Sequence, residues 1–324
     1  MLKINNLSKT YNKKKVLENI NVHVKEGEFL SIIGPSGAGK STLLRIISNL
    51  EKENSGEIIT GKKYSKENPA IMVFQDFSLF PHMTIEENIS YGLKMRKVPI
   101  KEKNKKTQEM LKWFALEEKA KSYPSHLSAG QQQRAAIARA LILNPMLLLL
   151  DEPFANLDKN LKMDTALFIK RTQKEFGITT IMVTHDQEEA FFISDRVGIL
   201  INGSLIQINK PEIVYHKPLN LTVAKFLGQV NTIPYAYLSS FHIDSDIKKN
   251  ILSINKPKNI SFRYESASID LDINGFGEIT ESHIWGKTIL YMVKIENITI
   301  GVYELHSSLN IGDKVSVTLH QIIY

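Results

Sequence analysis

The sequence predicts an α/β protein, with a larger N-terminal domain built on a parallel sheet and a smaller C-terminal domain dominated by strands. First, the apolar run FLSII from Phe29 to Ile33 leads into a glycine-rich turn at Gly34. A helix follows, with Leu43, Leu44, Ile46 and Ile47 at helical spacing. Second, the apolar runs LLLLD and TTIMVTHD end in polar residues, as strands do when a parallel sheet presents its chemistry at their carboxyl ends. Third, the texture changes near residue 230. In DKVSVTLH the residues Val315, Val317 and Leu319 alternate with polar ones, the period of a half-buried strand.

Residues 1 to 33 read as short alternating strands, and the stretch from about Glu86 to Tyr123 reads as helical and charged. Beyond Leu200, NGSLIQINKP introduces Pro211, and a helix-like stretch reaches Phe226-Leu227-Gly228. The expected division is a domain over 1–230 and a second over 231–324; 324 residues suffice for one large core and one smaller one. No repeat of fixed period and no low-complexity tract interrupts them.

Composition excludes several classes of function. Cysteine is absent, which removes disulfides, thiolate catalysis and cysteine-ligated metals together. The start, MLKINNLSKTYNKKK, lacks the apolar stretch of a secretory signal. The longest apolar run, Leu141 to Leu150, is broken at Asn144-Pro145 and is too short to span a bilayer, so any membrane role is expected to be peripheral. The formal net charge of +7 comes mostly from dispersed lysines, which reads as a solvated surface. The densest cluster, IKEKNKK, reads as an exposed helix or loop, and no aromatic residues interleave it as a single-strand nucleic-acid groove would want.

Gly34-Pro35-Ser36-Gly37-Ala38-Gly39-Lys40-Ser41, followed by Thr42, fits the P-loop pattern with a strand before it and a helix after it. Glycines let backbone N–H groups converge on phosphate oxygens, and the helix N-terminus adds its positive end. Lys40 is expected to reach the β- and γ-phosphates of ATP, and the Ser41 hydroxyl to hold Mg²⁺. Leu147 to Leu150 lead into Asp151-Glu152-Pro153, so a buried strand delivers adjacent carboxylates to its polar end. Alternate strand side chains face opposite ways, allowing two jobs: Asp151 suits the Mg²⁺ shell and Glu152 suits polarising the attacking water.

Leu127-Ser128-Ala129-Gly130-Gln131-Gln132-Gln133-Arg134 resembles the signature motif of the ABC ATPases, with Ala129 in place of the commoner Gly. Other segments fall in that family's order: Tyr11 is similar to the A-loop aromatic, Gln75 in VFQD to the Q-loop glutamine, Ala155-Asn156-Leu157-Asp158 to the D-loop, and His185 in VTHD to the H-loop histidine. The resemblance covers residues 1 to 230. It implies a P-loop NTPase cassette, a RecA-like core plus a helical subdomain over about 86–140. Catalysis is then expected from Glu152, His185, Lys40 and Gln75, and Mg²⁺ ligation from Ser41, Gln75 and Asp151. Nucleotide contact is expected from Tyr11, residues 34 to 42, Gln75, Asp151 and Asp158, with Ser128, Gly130 and Gln131 facing the nucleotide of a second subunit. Tyr11 offers a flat face for adenine and no base-edge code, so weak nucleobase selectivity is expected.

LIQINKPEIVYHKPLNLTVAKFLGQVN resembles the connection from cassette to a C-terminal, OB-like, all-β TOBE domain in importer ATPases for polyamines, ferric iron, sulfate or thiamine. Lys256-Pro257-Lys258-Asn259 departs from the Arg-Pro-Glu-Asp usual there. The resemblance implies a homodimer at the cytoplasmic face of the membrane, transmembrane permease subunits contacted through FSLFPHMT, a substrate-binding protein, and no nucleic-acid partner. A soluble ABC ATPase of translation or DNA repair is the alternative; one cassette with a TOBE-like tail weighs against it. Ferric iron, a polyamine or an oxyanion stay open as cargo, the short tail favouring iron.

Overall fold

The computed structural model describes residues 2–61, 65, 69–155, 157–243, 247, 257–305 and 309–323. Asn156 of the D-loop-like segment and Lys256 lie outside them. The chain divides into two compact units, Met1–Pro211 and Glu212–Tyr324.

In the first unit, β1 (Leu2–Tyr11) and β2 (Lys14–Val24) are longer than the short strands expected and pair antiparallel. The other strands of this unit are β3 (Phe29–Ile33), β4 (Ser55–Thr60), β5 (Ala70–Val73), β6 (Leu147–Asp151), β7 (Thr179–Thr184), β8 (Arg196–Ile201) and β9 (Ser204–Asn209). One sheet has the order β2-β1-β4, and a six-stranded sheet has the order β5-β6-β7-β3-β8-β9. Its first five strands are parallel, and β9 is an antiparallel edge. Because β3, β6 and β7 are buried at every residue, they read as continuous apolar runs rather than alternating ones.

The helix α1 (Lys40–Ile47) joins the core through Leu43, Leu44, Ile46 and Ile47, which pack with side chains of β1, β2, β3, β6 and β7. Next come α2 (Ile85–Met95), α3 (Ile100–Trp113), α4 (Ala129–Leu141), α5 (Lys159–Glu175) and α6 (Gln187–Ile193). Capping boxes start two of them, Thr84 with Glu87 for α2 and Ser128 with Gln131 for α4. The lysine cluster becomes the exposed start of α3, where Lys106 pairs with Glu102 at 2.8 Å. The long apolar run resolves into two elements: α4 ends at Leu141, Asn144 turns the chain at φ 50°, and β6 starts at Leu147. Among the described residues no helix is long and apolar enough to cross a membrane.

The second unit holds α7 (Pro211–His216), α8 (Leu221–Leu227), β10 (Val230–Pro234), β11 (His242–Ile243), β12 (Asn259–Arg263), β13 (Ala267–Leu271), β14 (Gly277–Trp285), β15 (Thr288–Ile295), β16 (Ile298–Glu304) and β17 (Lys314–Leu319). The contact division falls at 211/212, ahead of the boundary expected near residue 230. Buried Arg263 donates to the carbonyls of Tyr215 at 3.1 Å and Ala224 at 3.2 Å and stacks on the Tyr215 ring, tying both helices to β12. One sheet has the order β11-β17-β14-β15-β16 with β13 also on β17; β10 and β12 form a separate pair. Val315, Val317 and Leu319 of β17 enter the core of this unit, as the alternation predicts.

Candidate active site

Three parallel neighbours, β6, β7 and β3, end side by side, and each hands the chain to a polar turn. After β3 the loop 34–39 wraps to the start of α1. Gly39 needs its missing side chain: its φ is 103°, and a Cβ there would stand 2.8 Å from the Val16 carbonyl oxygen and 2.7 Å from Leu17 Cδ2. Gly34 is tight for another reason, since a Cβ would come within 2.0 Å of the Leu200 carbonyl oxygen on β8. Sequence reasoning missed Val16, Leu17 and Leu200 as the walls that fix this loop.

Lys40 lies inside the turn, its Nζ donating to the carbonyls of Gly34 at 2.8 Å and Pro35 at 3.1 Å. Burial lowers its pKa, and the carboxylates of Glu152 and Asp151 oppose that shift. Ser41, beside it, donates through Oγ to Asp151 Oδ1 at 2.9 Å, which joins the P-loop helix to the end of β6. Burial raises the Asp151 pKa; the Ser41 hydrogen bond opposes the rise and the Glu152 charge adds to it. A hydroxyl and a carboxylate side by side, all hard oxygen, suit Mg²⁺ with phosphate oxygens completing its shell.

Glu152 extends the β6 line, its backbone N–H donating to the Val183 carbonyl at 2.9 Å, and then turns the chain with φ at 45°. That conformation costs a non-glycine residue energy and clusters at functional positions. It directs the carboxylate to β7, where Glu152 Oε2 and His185 Nδ1 lie 3.0 Å apart. The structure thus brings together Lys40, Ser41, Asp151, Glu152 and His185.

The remaining expected residues surround this group or stand apart from it. The Tyr11 hydroxyl donates to Glu51, and that bond is the main cause of its raised pKa; Lys9 Nζ sits 4.9 Å from the ring centroid. The Thr42 hydroxyl acts on the same phenol in the opposite sense. Glu51 is a partner the sequence did not disclose. Gln75 is exposed in the turn after β5. Ser128 serves α4 as its N-cap, accepting from the Gln131 N–H, while the Gln131 side chain accepts from the Ser128 N–H at 3.0 Å. Gly130 is buried against α5, where a Cβ would meet Leu161 Cδ2 at 3.2 Å. Asp158 caps α5, accepting from the Leu161 N–H at 3.0 Å.

The segment 77–84, which follows Gln75, forms a turn held by side chains of α2 and α4. Buried Asn88 of α2 accepts from the Phe80 N–H at 2.8 Å and donates to the carbonyls of Phe80, Met83 and Thr84 at 3.0 to 3.1 Å. Arg139 of α4 donates to the carbonyls of Phe77 and Ser78 and lies over the Phe80 ring at 5.2 Å. The turn borders an apolar cleft of about 370 Å³ that Phe74, Phe80, Tyr91 and Leu143 help to line.

The sequence model of the ABC transporter family matches residues 17–155. A spermidine/putrescine import ATP-binding protein, PotA, of Pasteurella multocida (strain Pm70) is 37% identical over 99% of this chain and 95% of its own length. The chain belongs to the ABC transporter family. The same-named protein of Lawsonia intracellularis (strain PHE/MN1-00) is 46% identical over 74% of this chain and 66% of its own length, so that match spans just under two thirds of the relative. Among solved structures, the ATP-binding cassette MJ0796 in a dimeric post-hydrolysis state bound to ADP and Pi superposes with a TM-score of 0.59 at 37% identity, over 65% of this chain and 99% of that one. The cbiO1 protein of Clostridium perfringens, part of the ABC transporter complex cbiONQ, gives 0.61 at 33% identity over 66% of this chain and 89% of that one. In this ABC chain the matched family region runs from β2 through the P-loop to the turn after β6.

Proposed function

We propose that this chain hydrolyses ATP as the nucleotide-binding subunit of an importer, working as a pair of identical chains docked peripherally on membrane-embedded permease subunits at the cytoplasmic face. The observation that carries this reading is the junction of three strand ends, where Lys40, Ser41, Asp151, Glu152 and His185 converge. In phosphoryl transfer to water the protein chiefly positions groups and stabilises charge. The glycine-rich loop offers N–H groups and Lys40 a cation to the phosphates. Bound Mg²⁺, held by Ser41 and Asp151 with Gln75 as a further oxygen, would neutralise charge on the β- and γ-phosphate oxygens. Glu152 accepts a hydrogen bond from the attacking water, and His185 holds that carboxylate from the neighbouring strand end. Tyr11 stacks on the base. Ser128, Gly130, Gln131 and Asp158 serve the nucleotide held by the second copy, an arrangement supported by the dimeric state of the similar cassette MJ0796.

The turn 77–84 and its apolar cleft are the surface we assign to the permease. For cargo we favour a polyamine over the iron suggested by the short tail, because relatives matching the whole chain carry the name spermidine/putrescine importer. A substrate-binding protein completes the assembly.

The test compares Lys40→Ala and Glu152→Gln with the unchanged chain in nucleotide binding and turnover. Lys40→Ala should weaken ATP binding. Glu152→Gln should bind ATP, stop hydrolysis and accumulate a nucleotide-retaining dimer on size exclusion. Unchanged turnover in Glu152→Gln sinks the assignment of that carboxylate.

A further inference from the structure

Behind His185 stands an ion pair, its glutamate side chain buried and its lysine half-buried, with no role in the reading above. Glu189 lies on the first turn of α6 with its side chain only 8% exposed, although His185, four residues earlier, is 56% exposed. Each Glu189 oxygen has its own partner. Oε1 accepts from Lys162 Nζ on α5 at 2.8 Å, and Oε2 accepts from the Thr184 hydroxyl at 2.8 Å. Thr184 Oγ1 in turn accepts from the Asp186 N–H at 3.0 Å. Thr184 and Asp186 flank His185, so one hydroxyl pins the backbone on both sides of the histidine. Asp186 closes the ring: its carboxylate accepts from the Glu189 N–H at 3.2 Å and lies 3.5 Å from Lys162 Nζ.

We propose that Lys162 and Glu189 are positioning residues for His185, holding its imidazole at Glu152 and tying it to the first turn of α5. The inference rests on the reading of the site as an ATP-hydrolysing one. Two points separate it from ordinary packing. First, burial raises the Glu189 pKa while the hydrogen bonds from Lys162 and Thr184 oppose the rise. Without the Lys162 cation the carboxylate keeps only the Thr184 hydroxyl, and its charge relaxes by protonation or displacement, which strains that hydrogen bond. Second, Thr184 sits at the only peptide joining β7 to His185, and a shift of its hydroxyl moves the histidine itself. Lys162 lies one turn after Asp158, the cap of α5. A movement of that helix start is therefore transmitted through Glu189 to His185 and on to Glu152, 3.0 Å away.

The experiment uses the full chain with Lys162→Met, Lys162→Arg and Glu189→Gln, measuring kcat and KM for Mg-ATP, thermal midpoint, and the imidazole nitrogen resonances of His185. Misplacing a reacting group by about 1 Å costs on the order of 100-fold, so a looser His185 should lower kcat about 10- to 100-fold. KM should stay within about two-fold, because the lost contact acts on the transition state. Lys162→Arg should recover most of the rate, since a guanidinium can bridge the same two carboxylates. Lys162→Met should shift or broaden the His185 resonances. Normal kcat in both Lys162→Met and Glu189→Gln overturns the proposal. So does a fall in kcat that tracks the thermal midpoint while the His185 resonances stay in place. If the unchanged chain itself fails to hydrolyse ATP, the reading of the site fails instead, and the His185 resonances still decide whether Lys162 orients the ring.

Discussion

Asn88→Ala should loosen the turn 77–84 by an amount that can be worked out bond by bond. The Asn88 side chain makes four contacts, and their loss is unequal. Phe80 N–H has Asn88 Oδ1 as its partner, so the substitution leaves a donor unpaired, at a cost of about 1–3 kcal/mol. The Phe80 and Thr84 carbonyls keep other donors, the N–H groups of Met83 and residue 88 itself. Those two losses, with that at the Met83 carbonyl, add about 1.5 kcal/mol together, at about 0.5 kcal/mol each, the low end of net hydrogen-bond values. The sum, about 2.5–4.5 kcal/mol, corresponds to a roughly 100- to 1,000-fold faster exchange of the Phe80 amide if the turn opens as a local unit. Hydrogen exchange followed by mass spectrometry or NMR reads this directly. ATP affinity should stay unchanged, because the P-loop is walled by Val16, Leu17 and Leu200 instead. Uptake in cells should fall if the turn docks on the permease as proposed, because it loses its shape. Phe80 exchange within about three-fold of the unchanged chain would refute the argument, since it would mean that Asn88 merely fills space.

Two further perturbations test the loop and the helix start. Gly39→Ala should lower the thermal midpoint more than Gly37→Ala: both pay about 1–3 kcal/mol of backbone strain at positive φ, but only at Gly39 does the new methyl meet a backbone carbonyl, 2.8 Å away. Equal midpoints for the two would show that the Val16 carbonyl moves freely. For α2, the Thr84 N–H and hydroxyl hold the Glu87 carboxyl below the usual glutamate value of 4.5. A depressed folded pKa means stability that is present above 4.5 and lost as pH falls through the lower folded value. Exchange at the Thr84 amide should accelerate in that acid window, and Glu87→Gln, which keeps an acceptor without a titrating proton, should abolish the pH dependence.

Much of the site could be read in the sequence because its parts are local. A P-loop is a strand, a turn and a helix in one stretch, and the paired carboxylates follow four leucines without a break. Each motif carries its own geometry. The paired N-terminal strands were harder to place, since β1 and β2 carry their buried residues with bulges that break strict alternation. The change of period near residue 230 is visible in the sequence. The division of contacts at 211/212 leaves no such trace, because two short amphipathic helices look alike whichever unit they join. What assigns them is Arg263, some forty residues further on, and no local pattern in either segment points to it.

The same distinction explains why Glu189 and Asn88 escaped notice. Acidic residues in the first turn of a helix are expected on electrostatic grounds, so Gln187-Glu188-Glu189 reads as a solvated helix start. Only the approach of α5 turns Glu189 from a surface charge into a buried one, and that approach depends on β6 and β7 lying side by side, a fact of sheet order. Asn88 left a fainter trace. In IEENISYGL the residues Ile85, Asn88, Ile89 and Leu93 fall on one helical face, and all four are buried. A polar residue in the middle of an apolar stripe must satisfy its amide or lose stability. Asn88 bonds to backbone a turn upstream, so the segment preceding α2 owes its shape to the helix that follows it. An asparagine at such a position therefore predicts a structured turn before the helix, although the sequence does not say which residues form it. Where the partner lies on another strand or helix, as for Glu189, no comparable inference is available until the sheet order is known.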